Sequence, residues 1–193
     1  AFDTNTNVVF LRNAGNAKST GIEGDLQFQA SDILTFKSAF GYNRARYGNF
    51  DNSACYGGQT AAEGCVGSRQ DLSGEPLMRA PKWVFSGGAA VDNLPFGRSV
   101  VFGASIDGHY SSGYFTTPQN SPYGYQKGYP LIDATIRIHD VDDKWDLALI
   151  GRNLTNEFYK VVSSDRPLGR TPGSVYSQIG LPRTITLQAT YRF

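Results

Sequence analysis

The arrangement in this sequence that comes nearest to a hydrolytic centre is Asp107, His109 and Ser111. In an extended strand, side chains at i, i+2 and i+4 point the same way, so an acid, a base and a hydroxyl would stand in one row. A nucleophilic serine also needs a strained turn that lifts its hydroxyl clear of the sheet, and no such elbow surrounds Ser111. The row therefore reads as the polar lining of a sheet, and the chain is not read as an enzyme. Asn153-Leu154-Thr155 matches a glycosylation sequon, but at a strand end it reads as a turn cap.

Cys55 and Cys65 flank Tyr56 to Gly64. An even pair in a surface loop reads as a disulfide in an oxidising compartment, with two free thiols as the other reading. Closing so short a loop is worth about 2–3 kcal/mol and stiffens it. A metal site is disfavoured: tetrahedral centres take four ligands, and neither His109 nor His139 lies near the cysteines in sequence. No metal and no cofactor is expected.

A third group is recognition chemistry. The segments between strands carry Tyr110, Tyr114, Phe115, Tyr123, Tyr125, Tyr129, Tyr159, Arg166, Arg170 and Tyr176. Aromatic rings with guanidinium groups suit sugars, aromatic chelates and anionic complexes. Tyr114, Phe115, Tyr123, Tyr125, Tyr159, Arg166 and Arg170 are the candidate ligand contacts; an interfacial aromatic girdle plus ordinary turns is the competing account.

These groups have to be positioned by strands. Gly 22, Tyr 11 and Phe 12 among 193 residues suit strands and turns better than helices. A formal net charge of +1 gives no reason to expect a nucleic-acid partner. No stretch approaches the roughly 20 apolar residues of a spanning helix. Mean hydropathy is −0.34, which says little about barrels, because their strands need only alternate. From Thr184 to Phe193 the alternation is unbroken: Ile185, Leu187, Ala189, Tyr191 and Phe193 share one face, and Thr184, Thr186, Gln188, Thr190 and Arg192 the other. Gly21–Ala30, Leu34–Asn43, Val100–Tyr110 and Ile132–His139 repeat it, Trp83–Val91 and Trp145–Leu149 more weakly, and the inward set includes Glu23, Asp25, Lys37, Asp107, His109, Asp133, Arg137, Asp146 and Arg192. With Asn7–Leu11, about eight strands are expected.

Short connections at Ser31-Asp32, Asp92–Gly97 and Asp140–Lys144 alternate with long segments at Gly48–Arg79, Ser112–Gly128 and Glu157–Leu181, and a short connection at Asn13–Lys18 falls on the long-loop rim as an exception. Short turns on one rim and long loops on the other are the asymmetry of outer-membrane barrels. Aromatic residues near strand ends (Tyr42, Tyr47, Trp83, Tyr110, Tyr129, Trp145, Tyr191, Phe193) fit interfacial girdles. The expected class is all-β, an antiparallel transmembrane β-barrel. The opening Ala1-Phe2-Asp3-Thr4 carries neither the basic start nor the apolar run of a signal peptide, so a mature or partial chain is expected.

The closing run Pro182-Arg183-Thr184 through Tyr191-Arg192-Phe193 resembles the last strand of TonB-dependent receptors. Trp145 through Asn156, with its Asn-Leu-Thr-Asn exit, is similar to the same family, as are Asn13-Ala14-Gly15 leading to Ser19–Gly24, and Asp71-Leu72-Ser73-Gly74 through Ala80-Pro81-Lys82-Trp83. The resemblance implies a barrel of about 22 strands around a plug, of which residues 1–193 would be roughly the last eight strands, with no plug present; the alternative is a complete small barrel. It further implies outer-membrane uptake of a scarce nutrient (a siderophore–metal complex, a vitamin or an oligosaccharide) energised by TonB. A passive porin or a small structural barrel is the runner-up. The partners implied are outer-membrane lipid and lipopolysaccharide, the TonB complex through the missing plug, and the barrel-assembly machinery reading Tyr191 and Phe193.

Overall fold

The computed structural model describes residues 15–166 and 173–193, with the backbone alone of residues 2–3 and 8–9. Seven long strands carry the fold: β1 (Ala17–Gln29), β2 (Leu34–Tyr47), β3 (Trp83–Phe96), β4 (Val100–Ser111), β5 (Tyr129–Asp140), β6 (Trp145–Arg152) and β7 (Thr184–Tyr191). Each pairs antiparallel with its neighbours in sequence, so the sheet is an up-and-down meander from β1 to β7. The first five strands run to 13, 14, 14, 12 and 12 residues, longer than the roughly 9–11 that a tilted strand needs to cross a bilayer. Among the described residues the sheet does not close: β1 and β7 are its two edges.

The register explains why the alternation is so regular. One row of facing residues runs Ile185, Gly151, Ala134, Ile106, Ala89, Phe36 and Phe28 across all seven strands. The next row on this face holds Leu187, Leu149, Ile136, Ala104, Val91 and Leu34. Every member is apolar, and Leu187 is 69% and Phe28 57% exposed. A soluble sandwich would bury such a face under a second sheet. Here the buried apolar side chains among the described residues are only Ala45, Leu72, Tyr129 and Ala148. So large an uncovered apolar surface has lipid as its solvent.

The opposite face is polar. Lys37, Gly88 and Asp107 face one another across β2, β3 and β4, and Lys37 Nζ lies 2.8 Å from Asp107 Oδ1. The ion pair spans two strands because the middle position is glycine. A Cβ at Gly88 would stand 2.5 Å from Asp107 Oδ1 and 3.0 Å from Lys37 Cε. Arg137 pairs with Asp146 on the same face, between β5 and β6. A concavity of about 460 Å³ opens here, lined in part by Asp25, Lys37, Asp107, His109 and Asp133. The expected inward set is therefore on one side, as a water-containing lumen requires.

Three expectations need correction. Asp92–Gly97 is not a turn: β3 continues to Phe96 and the turn is residues 97–99. A bulge between Val91 and Leu94, with Asn93 at φ 57°, adds one residue and shifts the parity, so Leu94 again joins the apolar face opposite Phe102. That local break is what imitates a connection. Tyr47 and Tyr129 do not belong to the girdle. They alternate onto the polar face, where Tyr129 stacks on Tyr159 at 4.5 Å. Lys18, expected in a connection, lies in β1, and most of Asn7–Leu11 falls outside the described residues, with Val8–Val9 pairing Phe2–Asp3.

The remaining aromatics form two belts. At the long-loop rim Tyr42, Trp83, Phe85 and Tyr110 contact in series at 4.6, 5.8 and 6.4 Å between centroids. At the short-turn rim Trp145 faces Tyr191, which meets Phe193 at 5.2 Å. Leu187 lies between the belts and Gln188 on the opposite face. In a folding titration of the intact protein, Leu187→Lys should cost about 2–4 kcal/mol and Gln188→Lys far less. Equal costs at the two positions would refute the assigned faces.

Candidate functional site

Above the long-loop rim, three connections fold against one another. In the first, Cys55 and Cys65 form a disulfide with Cα atoms 5.8 Å apart, confirming the paired reading. The segments Ser53–Ala54 and Arg69–Gln70 pair just outside it. The second holds Tyr114–Phe115 paired with Tyr125–Gln126. The third is a hairpin of Lys160–Asp165 and Val175–Ile179.

What joins them is polar. Thr116 Oγ1 donates to Ser163 Oγ at 2.7 Å, and Ser163 Oγ shares a hydrogen bond with Ser177 Oγ at 2.8 Å. Thr116 is fully buried and Ser163 nearly so. The Ser163 N–H donates to Thr116 O at 3.0 Å. Gln70 Nε2 donates to Ala54 O within its own loop at 2.8 Å and to Gln119 O in the next at 3.0 Å. Lys160 ties the second loop twice, its N–H donating to Gln126 Oε1 at 2.7 Å and its Nζ to Tyr123 O at 3.0 Å. Gly57 N–H donates to Asp165 Oδ2 at 2.9 Å, fastening the disulfide loop to the hairpin. Buried polar groups hold a structure only when satisfied, and here nearly every one is. Among the described residues only Asn120 Oδ1 and Ser121 Oγ lack a partner.

The candidate ligand contacts divide accordingly. Tyr114 and Tyr159 are used inside the cap: Tyr114 Oη donates to Lys160 O at 3.0 Å, and Tyr159 is the ring stacked on Tyr129. Phe115 and Tyr125 meet edge to face at 5.1 Å and line a recess of about 480 Å³ beside the end of β2. Tyr123 is 48% exposed, with its ring 6.3 Å from Tyr56. Arg166 is exposed, its guanidinium 5.1 Å from the ring of Tyr176. Arg170 lies outside the described residues. The structure thus leaves Tyr123, Tyr125, Arg166 and Tyr176 as the presented groups. Thr116, Gln70, Ser163 and Lys160, which build the frame, carry no periodic signal in the sequence.

The hydrolase-like row is not assembled. Asp107 is engaged by Lys37, and Ser111 Oγ donates to Ser112 O at 3.1 Å. Asn153 acts as a turn cap: its Nδ2 donates to Glu157 O and Leu181 O at 2.9 and 3.0 Å, and its Oδ1 accepts from Glu157 N–H at 2.8 Å. Among the described residues no cluster of three His, Cys, Asp or Glu side chains could hold a metal ion.

A two-faced antiparallel meander with belts at both rims and a polar cap on one is the wall of an outer-membrane β-barrel. The chain belongs to the family described as TonB dependent receptor-like, beta-barrel, which it matches over residues 1–154, and this places it in the outer membrane of a Gram-negative bacterium. Three solved structures share its fold. The ferric yersiniabactin uptake receptor FyuA from Yersinia pestis superposes with a TM-score of 0.67 at 14% identity, over 92% of this chain and 24% of its own. The siderophore receptor PiuA from Acinetobacter baumannii gives 0.62 at 20%, over 90% and 21%. The ferric preacinetobactin receptor BauA from Acinetobacter baumannii gives 0.60 at 19%, over 92% and 22%. This chain therefore spans less than a quarter of the length of each. No curated protein sequence matches it.

Burial raises the pKa of Asp165 above the ordinary carboxylate range, and the Gly57 N–H partly opposes the shift. A carboxyl whose folded pKa is raised favours its protonated form in the docked loop. Its contribution to docking is then greatest in acid and declines as pH rises through the folded pKa. Asp165→Asn keeps an acceptor for Gly57 but cannot ionise. Hydrogen-exchange protection of residues 53–66 should decline from mildly acidic to neutral pH in the wild type and stay flat in the variant. A flat wild-type profile would contradict this.

Proposed function

We propose that this chain is the C-terminal portion of a TonB-dependent transporter barrel, residues 1–193, whose external loops capture a scarce nutrient. The observation that carries the reading is the family match over a sheet with one lipid-facing and one polar face. A polar lumen-side concavity of about 460 Å³ leaves room for water or for a plug against the wall. Within the nutrient classes, a siderophore–metal complex is favoured, because the structures that share the fold are a ferric yersiniabactin uptake receptor, a siderophore receptor and a ferric preacinetobactin receptor. Exposed Tyr123, Tyr125 and Tyr176 with Arg166 supply aromatic and cationic contacts for an anionic aromatic chelate. A vitamin or an oligosaccharide is the second choice on the same surface. Energy would reach the site from the TonB complex acting on a plug, and Tyr191 with Phe193 would present the barrel-assembly signal.

Uptake of a labelled ferric siderophore by cells producing the intact protein tests this. Transport should fall to background when TonB is deleted. Tyr123→Ala or Arg166→Ala, each made singly, should raise the half-saturating concentration by about tenfold, the loss of one desolvated aromatic or cation contact amounting to roughly 1–2 kcal/mol. Transport that persists without TonB would point to a passive porin instead.

A further inference from the structure

Tyr56 stands beside Cys55 at the neck of the disulfide loop, and its place is fixed from several directions. Its N–H donates to Gln59 Oε1 at 3.1 Å, and the Gln59 N–H returns to Tyr56 O at 3.1 Å. Gln59 Nε2 donates in turn to Glu63 O at 3.0 Å and to Gln70 Oε1 at 3.1 Å, which ties the backbone of Tyr56 to both arms of the loop. The next residue, Gly57, is fastened to Asp165 of the hairpin. Partial burial and the neighbouring Glu63 carboxylate hold the Tyr56 phenol above its ordinary pKa, so the ring stays neutral.

Tyr123 is fixed from the other two loops. It sits in the turn Pro122–Gly124, where the Gly124 N–H donates to Ser121 O at 3.0 Å. Lys160 Nζ holds its carbonyl. The hairpin comes so close at Gly173, with φ 77°, that a Cβ there would stand 2.2 Å from Tyr123 Cε2. The two rings therefore meet in a set relation, 6.3 Å between centroids and 74° between planes. Tyr123 is 48% exposed and Tyr56 is half-buried, so the corner they make is open to solvent. A third flat ring entering it can stack on one tyrosine and meet the other edge to face, the two arrangements that ring quadrupoles favour. Because both tyrosines are held beforehand, little side-chain freedom is lost when it binds.

We propose that Tyr56 is a specificity-determining residue of the capture surface, and that the Tyr56–Tyr123 corner receives one flat aromatic ring of the ligand. This rests on the reading of the cap as the surface that captures an iron chelate. It adds a choice to that reading: chelates built on aromatic rings over chelates of the same charge built on aliphatic groups. The choice belongs to the corner, because a cation such as Arg166 attracts both kinds alike.

The test titrates the intact protein in detergent with the tris-catecholate and the tris-oxalate complexes of radiolabelled ferric iron, read by equilibrium dialysis. The two complexes carry equal charge, and only the first has rings. Wild type should bind the catecholate complex about tenfold more tightly, each ring contact being worth roughly a few-fold in affinity. Tyr56→Leu, which keeps apolar bulk without a ring, should weaken the catecholate complex about fivefold and leave the oxalate complex where it was. Tyr56→Phe should keep the wild-type preference. Equal binding of the two complexes by wild type, a measurement that needs no variant, would overturn the corner. A Tyr56→Leu loss that falls alike on both complexes would also overturn it, since that outcome marks a structural role and leaves the capture reading standing. Binding of neither complex would overturn the capture reading, and the proposal with it.

Discussion

A backbone placed in hydrocarbon has no water to accept its hydrogen bonds, so each N–H and C=O must be satisfied by a neighbouring strand. That requirement organises this chain. A meander meets it with the shortest connections, because every strand finds its partners in the segments just before and after it. Once the ladders are formed, the period of two assigns each residue to lipid or to lumen. A slip of one residue would exchange the faces of an entire strand. The bulge in β3 follows from the same constraint: the extra residue near Asn93 restores Leu94, Pro95 and Phe96 to register with Phe102, Val101 and Val100. The ladder continues to the rim, and the apolar face continues with it.

The lumen face shows what remains once lipid has taken the other side. Its charges need neither a dry core nor full burial, so they can pair across strands at modest cost. Lys37 and Asp107 do so over Gly88, where any side chain would press on both. The glycine that weakens the strand pattern of Trp83–Val91 is the residue that allows the pairing. The same logic sets the two edges: among the described residues β1 and β7 present unpaired ladders that hydrocarbon cannot satisfy, so in the membrane they require further strands or closure on each other.

How much of this was legible depends on the range over which each signal acts. Strand identity and face are written in local alternation, so β7, β5 and β4 could be read directly, down to which side Asp133, Arg137 and Gln188 take. The error at Asp92–Gly97 arose where a bulge breaks the period without ending the strand. Loop roles are not local. Thr116 is completed by Ser163, 47 positions away, and Gly57 by Asp165, 108 positions away. No composition or spacing marks such pairs. Tyrosines show the limit most clearly: Tyr114, Tyr123 and Tyr159 look alike in sequence, yet two are consumed in holding the cap and one is left at its surface.

The cap itself has to be rigid without a hydrophobic core, since Leu72 is its buried aliphatic side chain of any size among the described residues. Its order comes from a different set of forces: a covalent closure at Cys55–Cys65, hydroxyl and amide bonds shielded from water, and a few stacked rings. Each net hydrogen bond contributes only about 1 kcal/mol, but leaving one of these buried groups unpaired costs about 1–3 kcal/mol. The network therefore specifies one arrangement of the three loops more strongly than it stabilises it. A frame of that kind can present Tyr123, Arg166 and Tyr176 to solvent in fixed relation while the strands below answer only to lipid and lumen. The polar cap and the membrane wall are thus held by separate chemistry in one chain, and they meet at the rim, where Tyr42 and Trp83 end the apolar face and Arg44 and Arg46 begin the charged one.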